Sequence, residues 1–484
     1  MLTFKKILDS PTYSTWMNLF SKYFTFFIIT PLLLTKFSAN NIALWYLFGT
    51  TIAFSGVLDF GFAQTLIRYS SFMKAGAQHT NDLLFGKSSP QSLLQTTGST
   101  NWFFFKELLH TYQRIYLLLA AVASFLLIFI VTFLIKKTLV QSANSFEAYL
   151  AWVITVVGIC LSMFGKRYDS ILRGMDFISL INRWETLLNL LLGIIHIAIL
   201  LLRPSITYLV LATHLITVLT IAKKRHLMYQ YIPQLKRTKK EKINFNKGIF
   251  LASWEPTWKT GVIISSTQGV SQLSGMILSN VIPPAALASY LFSQKLLHAC
   301  NQFSWAPFYS KIPQFNQLRM KGKISELRQY TFSSLNKSLY ILVTLTFLVG
   351  ITISKVLLLI KANTEFVTPS VWILLLLGTF VDRIQAMHGQ IFMTTNNIKL
   401  YITSFFSGAI YLALLLLTIR TFEIYAIPIA LITSNLVLNF WYNQKNSLQS
   451  LDTNFKEYFL SFLYKPIFLM ILGSFFLLGI SYLW

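Results

Sequence analysis

Five polar side chains interrupt the apolar stretch "SQKLLHACNQFSW", residues 293–305. Gln294, His298, Asn301 and Gln302 recur at i, i+4, i+7 and i+8, one face of an α-helix, and Lys295 borders that face. An ammonium among amides and an imidazole can hold a polar or anionic cargo in a wet cavity, and is costly in lipid without one. A second stripe, Ser265, Gln268 and Gln272, repeats the helical spacing beside Gly261 and Gly275. A third combines Asn182, Glu185, Asn189 and His196, and a fourth adjoins Asp382 and Arg383 with Gln385 and His388. Lys22 and Lys259 complete the basic set; the bland alternative for both is snorkelling, with Glu255–Lys259 as an i, i+4 pair. His196 and the isolated His214 are read more simply as helix-packing groups. Lys22, Lys259, Lys295 and Arg383 together suit phosphate, which arginine grips in bidentate fashion and lysine as a point charge.

The elements that must carry these groups are membrane helices. The chain of 484 residues is 54% hydrophobic and only 12% charged, with a mean hydropathy of +0.57; soluble domains carry about 25% charged residues. Apolar runs of about 20 residues recur throughout. The pattern predicts an all-α polytopic protein of 12–14 transmembrane helices, read here as thirteen spans. Span one is placed at 17–36, two at 42–64, five at 182–202, seven at 257–280, eight at 284–306, ten at 368–390 and the last at 464–483. Span eight then buries Lys295 about 16 Å from its outer edge, near mid-membrane. No two histidines share a span at ligand spacing, so no metal site is expected, and no cofactor. Cys160 and Cys300 lie in apolar runs, which excludes a disulfide framework.

The expected organisation is an N-terminal six-helix lobe, 1–221, with a cytoplasmic insert at 70–110; a basic linker, 222–247; a second six-helix lobe, 248–445; and an extra C-terminal span in 446–484. With the N-terminus inside, inner segments hold 29 lysines and arginines and outer segments 6. That asymmetry predicts a cytoplasmic N-terminus. It also accounts for the net charge of +25 as inner-surface basic segments facing anionic lipid, so no nucleic-acid partner is expected. Lys5 and Lys6 precede a retained first helix, since no cleavage site follows. "STWMNLFSKYFTFF" (14–27) resembles "LASWEPTWKTGVII" (251–264), and "ALWYLF" (43–48) resembles "LASYLF" (287–292). Two like-oriented sets of six imply a pseudo-twofold along the membrane normal, with a substrate path between them.

"LDFGFAQTLIRY" (58–69) places Asp59 near the inner end of span two and Arg68 at its surface. Nine residues turn a straight helix by about 900°, which sets them on opposite faces unless Gly56 or Gly61 bends the segment. Arg68 reads as an inner-surface anchor and Asp59 as a gating or coupling acid, together with Glu185 and Asp382.

These segments resemble a known group. "VLDFGFAQTLIRYSS" (57–71), "RYDSILRGMDFISLINRWE" (167–185) and "ASYLFSQKL" (288–296) are similar to signatures of the multidrug/oligosaccharidyl-lipid/polysaccharide (MOP) flippase superfamily, and together look most like its Wzx-type polysaccharide flippases. The resemblance implies an inverted-V, alternating-access transporter in the bacterial cytoplasmic membrane. Its cargo would be a polyprenyl-pyrophosphate-linked oligosaccharide such as an O-antigen or capsule unit, with H+ or Na+ as coupling ion and a polysaccharide polymerase complex as partner. Lys22, Lys259, Lys295, His298 and Arg383 would then line a cationic cavity, with Gln268, Gln272, Gln294, Asn301 and Gln302 as its polar lining. Two other functions compete. A cation-coupled drug exporter of this superfamily needs an acid in the first helix, and span one has none. A polymerase or ligase needs a long outer loop bearing Arg or His, whereas the longest, near 136–147, holds only Lys136, Lys137 and Glu147 as charges.

Overall fold

The computed structural model describes residues 11–74, 100–142, 144–236, 243–395 and 400–483. Every regular element among them is helical. In hydrocarbon each backbone N–H and C=O needs a partner within its own segment, and a helix meets that condition. Ten helical stretches among the described residues are long and apolar enough to cross a membrane, so this is a multi-pass membrane protein. Its outward faces are apolar, as a lipid solvent requires: Leu117, Leu118, Val122, Phe125, Phe129 and Phe133 all lie exposed along one helix.

The chain forms two compact units, Met1–Phe37 with Phe48–Ile264, and Ser38–Leu47 with Ser265–Trp484. The first contains α1 (Pro11–Lys36), most of α2 (Ala39–Leu58), α3 (Phe62–Lys74), α4 (Trp102–Phe125) running through a π turn into α5 (Thr132–Val140), α6 (Ser145–Gly174), α7 (Ile178–Leu202), α8 (Ile206–Tyr231) and α9 (Lys247–Ile264). Helix α7 packs on α1, and α6 on α3, α4 and α8. An aromatic core of Phe105, Tyr69, Tyr112 and Tyr116 joins α3, α4 and α6. Two of its hydroxyls find polar partners: Tyr69 donates to the Ala252 carbonyl at 2.7 Å, and Tyr112 to Ser253 Oγ at 3.0 Å. A buried phenol left unpartnered would cost roughly 1–3 kcal/mol, so these contacts fix where α9 docks.

The second unit contains α10 (Val270–Leu278), which continues α9 after a π turn at Ser265–Gly269, then α11 (Pro284–Tyr309), α12 (Ile312–Met320), α13 (Ile324–Leu359), α14 (Pro369–Met393) and α15 (Leu400–Phe422). It ends with α16 (Ala426–Ser434), a π turn into α17 (Phe440–Gln449), the short α18 (Phe455–Tyr458) and, after a further π turn, α19 (Tyr464–Leu483). Helix α11 packs on α13, α14 on α17, and α19 on α13. Arg319 of α12 ties two helix ends together. Its Nε donates to Thr394 Oγ1 at 2.6 Å beyond α14, and its Nη1 to the Ser450 carbonyl at 3.0 Å beyond α17. A cation at two helix C-termini is placed where both macrodipoles favour it.

Three local features depart from continuous spans. The segment expected as span two breaks between α2 and α3, where Phe60 (φ 53°) and Gly61 (φ 87°) take left-handed backbone. The basic segment expected as a linker from 222 is still helix to Tyr231, then turns at Pro233–Leu235; residues 237–242 lie outside the described set. Of the expected insert 70–110, residues 75–99 lie outside it, as do Lys5 and Lys6. The segments expected as spans seven and eight are helical but are not among the ten most apolar stretches, because their polar stripes lower the hydropathy.

Candidate functional site

Pro284 opens α11 at a position whose N–H would lack a helical acceptor, and its fixed φ suits the first turn. Leu296, Leu297, Cys300 and Ser304 then bury one face, and Ser338 of α13 donates to the Ser304 carbonyl at 2.5 Å. Burial of that face turns the polar stripe away from the core. Gln294, Lys295 and Asn301 are half-buried, and His298 and Gln302 are exposed. The side chains of Gln302 and His298, one turn apart, approach to 3.3 Å. Lys295 has neither a hydrogen bond nor an ion pair among the described residues. An ammonium held half-buried without a counter-charge is a ready receptor for an anion, because its field is only partly screened.

Arg383 plays a different part. It is 1% exposed on α14, and its Nη2 donates to both the backbone carbonyl and the side-chain oxygen of Asn301. Its guanidinium carbon lies 4.0 Å from the centre of the Trp305 ring, which contacts Tyr309 at 3.9 Å. Arg383 therefore anchors α14 to α11; its Nε and Nη1 have no hydrogen-bond partner among the described residues. Beside it, half-buried Asp382 accepts from Gln385 Nε2 at 2.9 Å, and Gln385 Oε1 accepts from Asn443 Nδ2 at 2.9 Å. His388 Nδ1 lies 3.0 Å from Ser447 Oγ. Sequence reasoning missed this α17 partner face, although Asn435, Asn439 and Asn443 recur every four residues and could have marked it. Gln268 is exposed in the π turn before α10, and Gln272 is half-buried in α10.

In the first unit the stripe on α7 closes upon itself. Glu185 accepts from Asn18 Nδ2 at 2.6 Å and pairs with Lys224 at 2.6 Å. Lys224 also meets Asp169 at 2.7 Å, and Arg173 meets Asp169 at 2.8 Å and Glu185 at 3.7 Å. Asn189 donates to Asn18, and Asn182 to Thr15, so α1, α6, α7 and α8 share one network. Lys22 is exposed on α1. Lys259 pairs with Glu255 at 3.0 Å, the i, i+4 contact foreseen as its bland alternative. His196 is buried 3.2 Å from both the Leu209 carbonyl and Thr213, and the His214 ring lies so close to Gly158 that no Cβ fits there.

Asp59 is buried at the break between α2 and α3. Its Oδ2 accepts from the Ala63 N–H at 2.9 Å and so caps α3, while Lys166 stands 3.9 Å from Oδ1. A Cβ on Gly61 would stand 2.9 Å from Thr260 Cβ, so the left-handed turn lets α9 approach closely. Arg68 is exposed and folds over the Tyr69 ring at 5.6 Å, apart from Asp59.

No protein-family model matches the sequence, nor does any curated protein. Solved structures do share its fold. Lipid II flippase MurJ in an inward closed conformation aligns over 97% of this chain and 97% of its own, with a TM-score of 0.60 and 14% identity. An inward-facing multidrug resistance MATE family transporter of the MOP superfamily covers 91% and 96%, at 0.55 and 14%. A Vibrio cholerae MATE transporter covers 95% and 100%, at 0.52 and 14%. The chain thus has the fold of MOP superfamily transporters. Identities this low establish the architecture, and the substrate has to be argued from the side chains.

Proposed function

We propose that this protein flips an anionic, polyprenyl-pyrophosphate-linked oligosaccharide across the bacterial cytoplasmic membrane by alternating access. The observation that carries the reading is Lys295, an ammonium in the middle of the polar α11 stripe with no counter-ion among the described residues. His298, Gln294, Asn301 and Gln302 on that stripe supply hydrogen bonds for phosphate oxygens and sugar hydroxyls, and exposed Lys22 adds cationic character in the first unit, where Lys259 is paired with Glu255. The fold shared with a lipid II flippase supports a lipid-linked cargo. In an apolar surround each ammonium–phosphate contact gains strength over its value in water.

The second reading is a cation-coupled multidrug exporter, favoured by the likeness to MATE transporters. It fits the residues less well, since α1 carries no carboxylate to attract a cationic drug. For ion coupling, Asp382 is the best candidate of the three acids named from the sequence. Asp59 has Lys166 and Glu185 has Lys224 within 4.0 Å, whereas Asp382 has no such base among the described residues.

The test is Lys295→Ala in a strain that depends on this chain for surface polysaccharide. Loss of surface polymer with normal levels of folded protein supports the reading, and normal surface sugar overturns it. Extrusion of cationic dyes by cells making the unaltered protein would favour the exporter instead. Neutral isosteres at Asp59, Glu185 and Asp382 together should abolish gradient-dependent flipping; unchanged flipping would remove ion coupling through these acids.

A further inference from the structure

A polar cavity of about 470 Å3 lies in the first unit, away from the α7 stripe described there. His110 and Arg114 of α4 form one wall, and Ile243, Asn244 and Phe245, the extended approach to α9, form the other. That approach is pinned in place. The Asn246 N–H donates to Thr111 Oγ1 at 3.0 Å, its side-chain amide donates to Glu107 Oε2 at 3.1 Å, and its Oδ1 accepts from the Ile249 N–H at 3.2 Å. Ile243 is buried beneath it. The carboxylate of Glu107, one turn before His110 on α4, is engaged by Asn246.

Arg114 is exposed at this cavity and makes no hydrogen bond or ion pair among the described residues. Nor do the backbone N–H groups of Asn244 and Phe245 reach a backbone acceptor among the described residues. A free guanidinium beside unengaged amides is the donor set that phosphate oxygens take up. The depth of the cavity relative to the bilayer follows from α4 itself. Large apolar side chains stand exposed along it from Leu117 to Phe129, the stripe that faces acyl chains. Arg114 precedes that stripe by three residues, about 4.5 Å along the helix axis. A cation at that level stands among headgroups rather than in hydrocarbon or bulk water. The volume is within the range, about 300–1,000 Å3, of sites that take small ligands.

We propose that this cavity is a binding site for the phosphate of an anionic phospholipid headgroup, with Arg114 as its main contact and His110 and Asn244 as flanking donors. The site is separate from Lys295 and does not depend on the transport reading. An ordered headgroup here would brace the approach to α9 against α4.

Native mass spectrometry of the full chain, released from nanodiscs of mixed phosphatidylglycerol and phosphatidylcholine, tests it. The unaltered protein should retain phosphatidylglycerol in preference to phosphatidylcholine. Arg114→Gln should cut that retention roughly tenfold, the value of one charge-assisted contact, and Arg114→Lys should cut it less. Equal retention by Arg114→Gln, or no preference between the two lipids, overturns the proposal. Displacement of the lipid by millimolar inorganic phosphate or pyrophosphate also overturns it, in favour of a soluble anion. Should Arg114→Gln prove unstable, the lipid preference and phosphate competition of the unaltered protein decide the matter alone.

Discussion

Two polar regions of this molecule use similar residues to opposite ends. In the first unit, Lys224, Arg173, Asp169 and Glu185 neutralise one another across α6, α7 and α8, and Asn18 and Asn189 complete the network from α1. In the second, α11 presents Lys295 with no acid among the described residues to meet it. Both stripes have helical spacing and similar composition, and both rank as functional candidates by sequence. The difference lies in partners. A satisfied network holds helices together, and its charges have little left to offer a ligand; an unsatisfied cation within a membrane protein persists where a ligand or water meets it.

Lys295→Ala probes the contrast with the largest expected effect. Flipping in reconstituted vesicles should fall by at least about tenfold, and the melting temperature in detergent should barely move, since no hydrogen bond or ion pair among the described residues is lost. Lys295→Arg should retain most activity. A large loss of thermal stability in Lys295→Ala would place this lysine with the structural group instead. Glu185→Gln should do the reverse. It leaves Lys224 and Arg173 short of a counter-charge in a half-buried site and should destabilise the protein by about 3 kcal/mol, read as a lower unfolding midpoint. Combining it with Lys224→Met should cost less than the sum of the two single changes, because the stranded charge is gone.

Smaller effects sharpen the picture at the α2–α3 break. Gly61→Ala forces a left-handed residue against Thr260 and should cost roughly 1–3 kcal/mol of stability. Asp59→Asn keeps an oxygen able to cap α3 but leaves half-buried Lys166 without its counter-charge, so a loss of about 1–2 kcal/mol is expected there; a large transport defect with no greater loss of stability would then assign Asp59 to coupling. Lys259→Ala removes an i, i+4 pair with an exposed Glu255 and a contact with the Trp258 ring, and should shift stability by about 0.3–1 kcal/mol, unless the side chain meets cargo.

Much of the architecture was legible because lipid imposes one rule throughout: long apolar runs must be helices, so composition and run length predicted the all-α, multi-pass class. The polar stripe of α11 was legible for the same reason, since each of its members is an exception to that rule. The role of Arg383 was not. Its type and depth suit phosphate, and only the packing of α14 on α11 brings it to Asn301 and Trp305. Glu185 is the converse case, a candidate coupling acid by position that the fold surrounds with Lys224, Arg173 and Asn18.

The sequence by itself determined which segments are helices, which residues break the apolar rule and on which helical face each one stands. Those properties follow from local periodicity and from the cost of polar groups in hydrocarbon. The break at Phe60–Gly61, the closure of the Glu185 network, the anchoring of Arg383 and the isolation of Lys295 were decided by tertiary structure alone. Whether a charge is a strut or a receptor depends on the neighbour across the helix–helix contact, and that neighbour lies 39 residues away for Glu185 and 82 for Arg383.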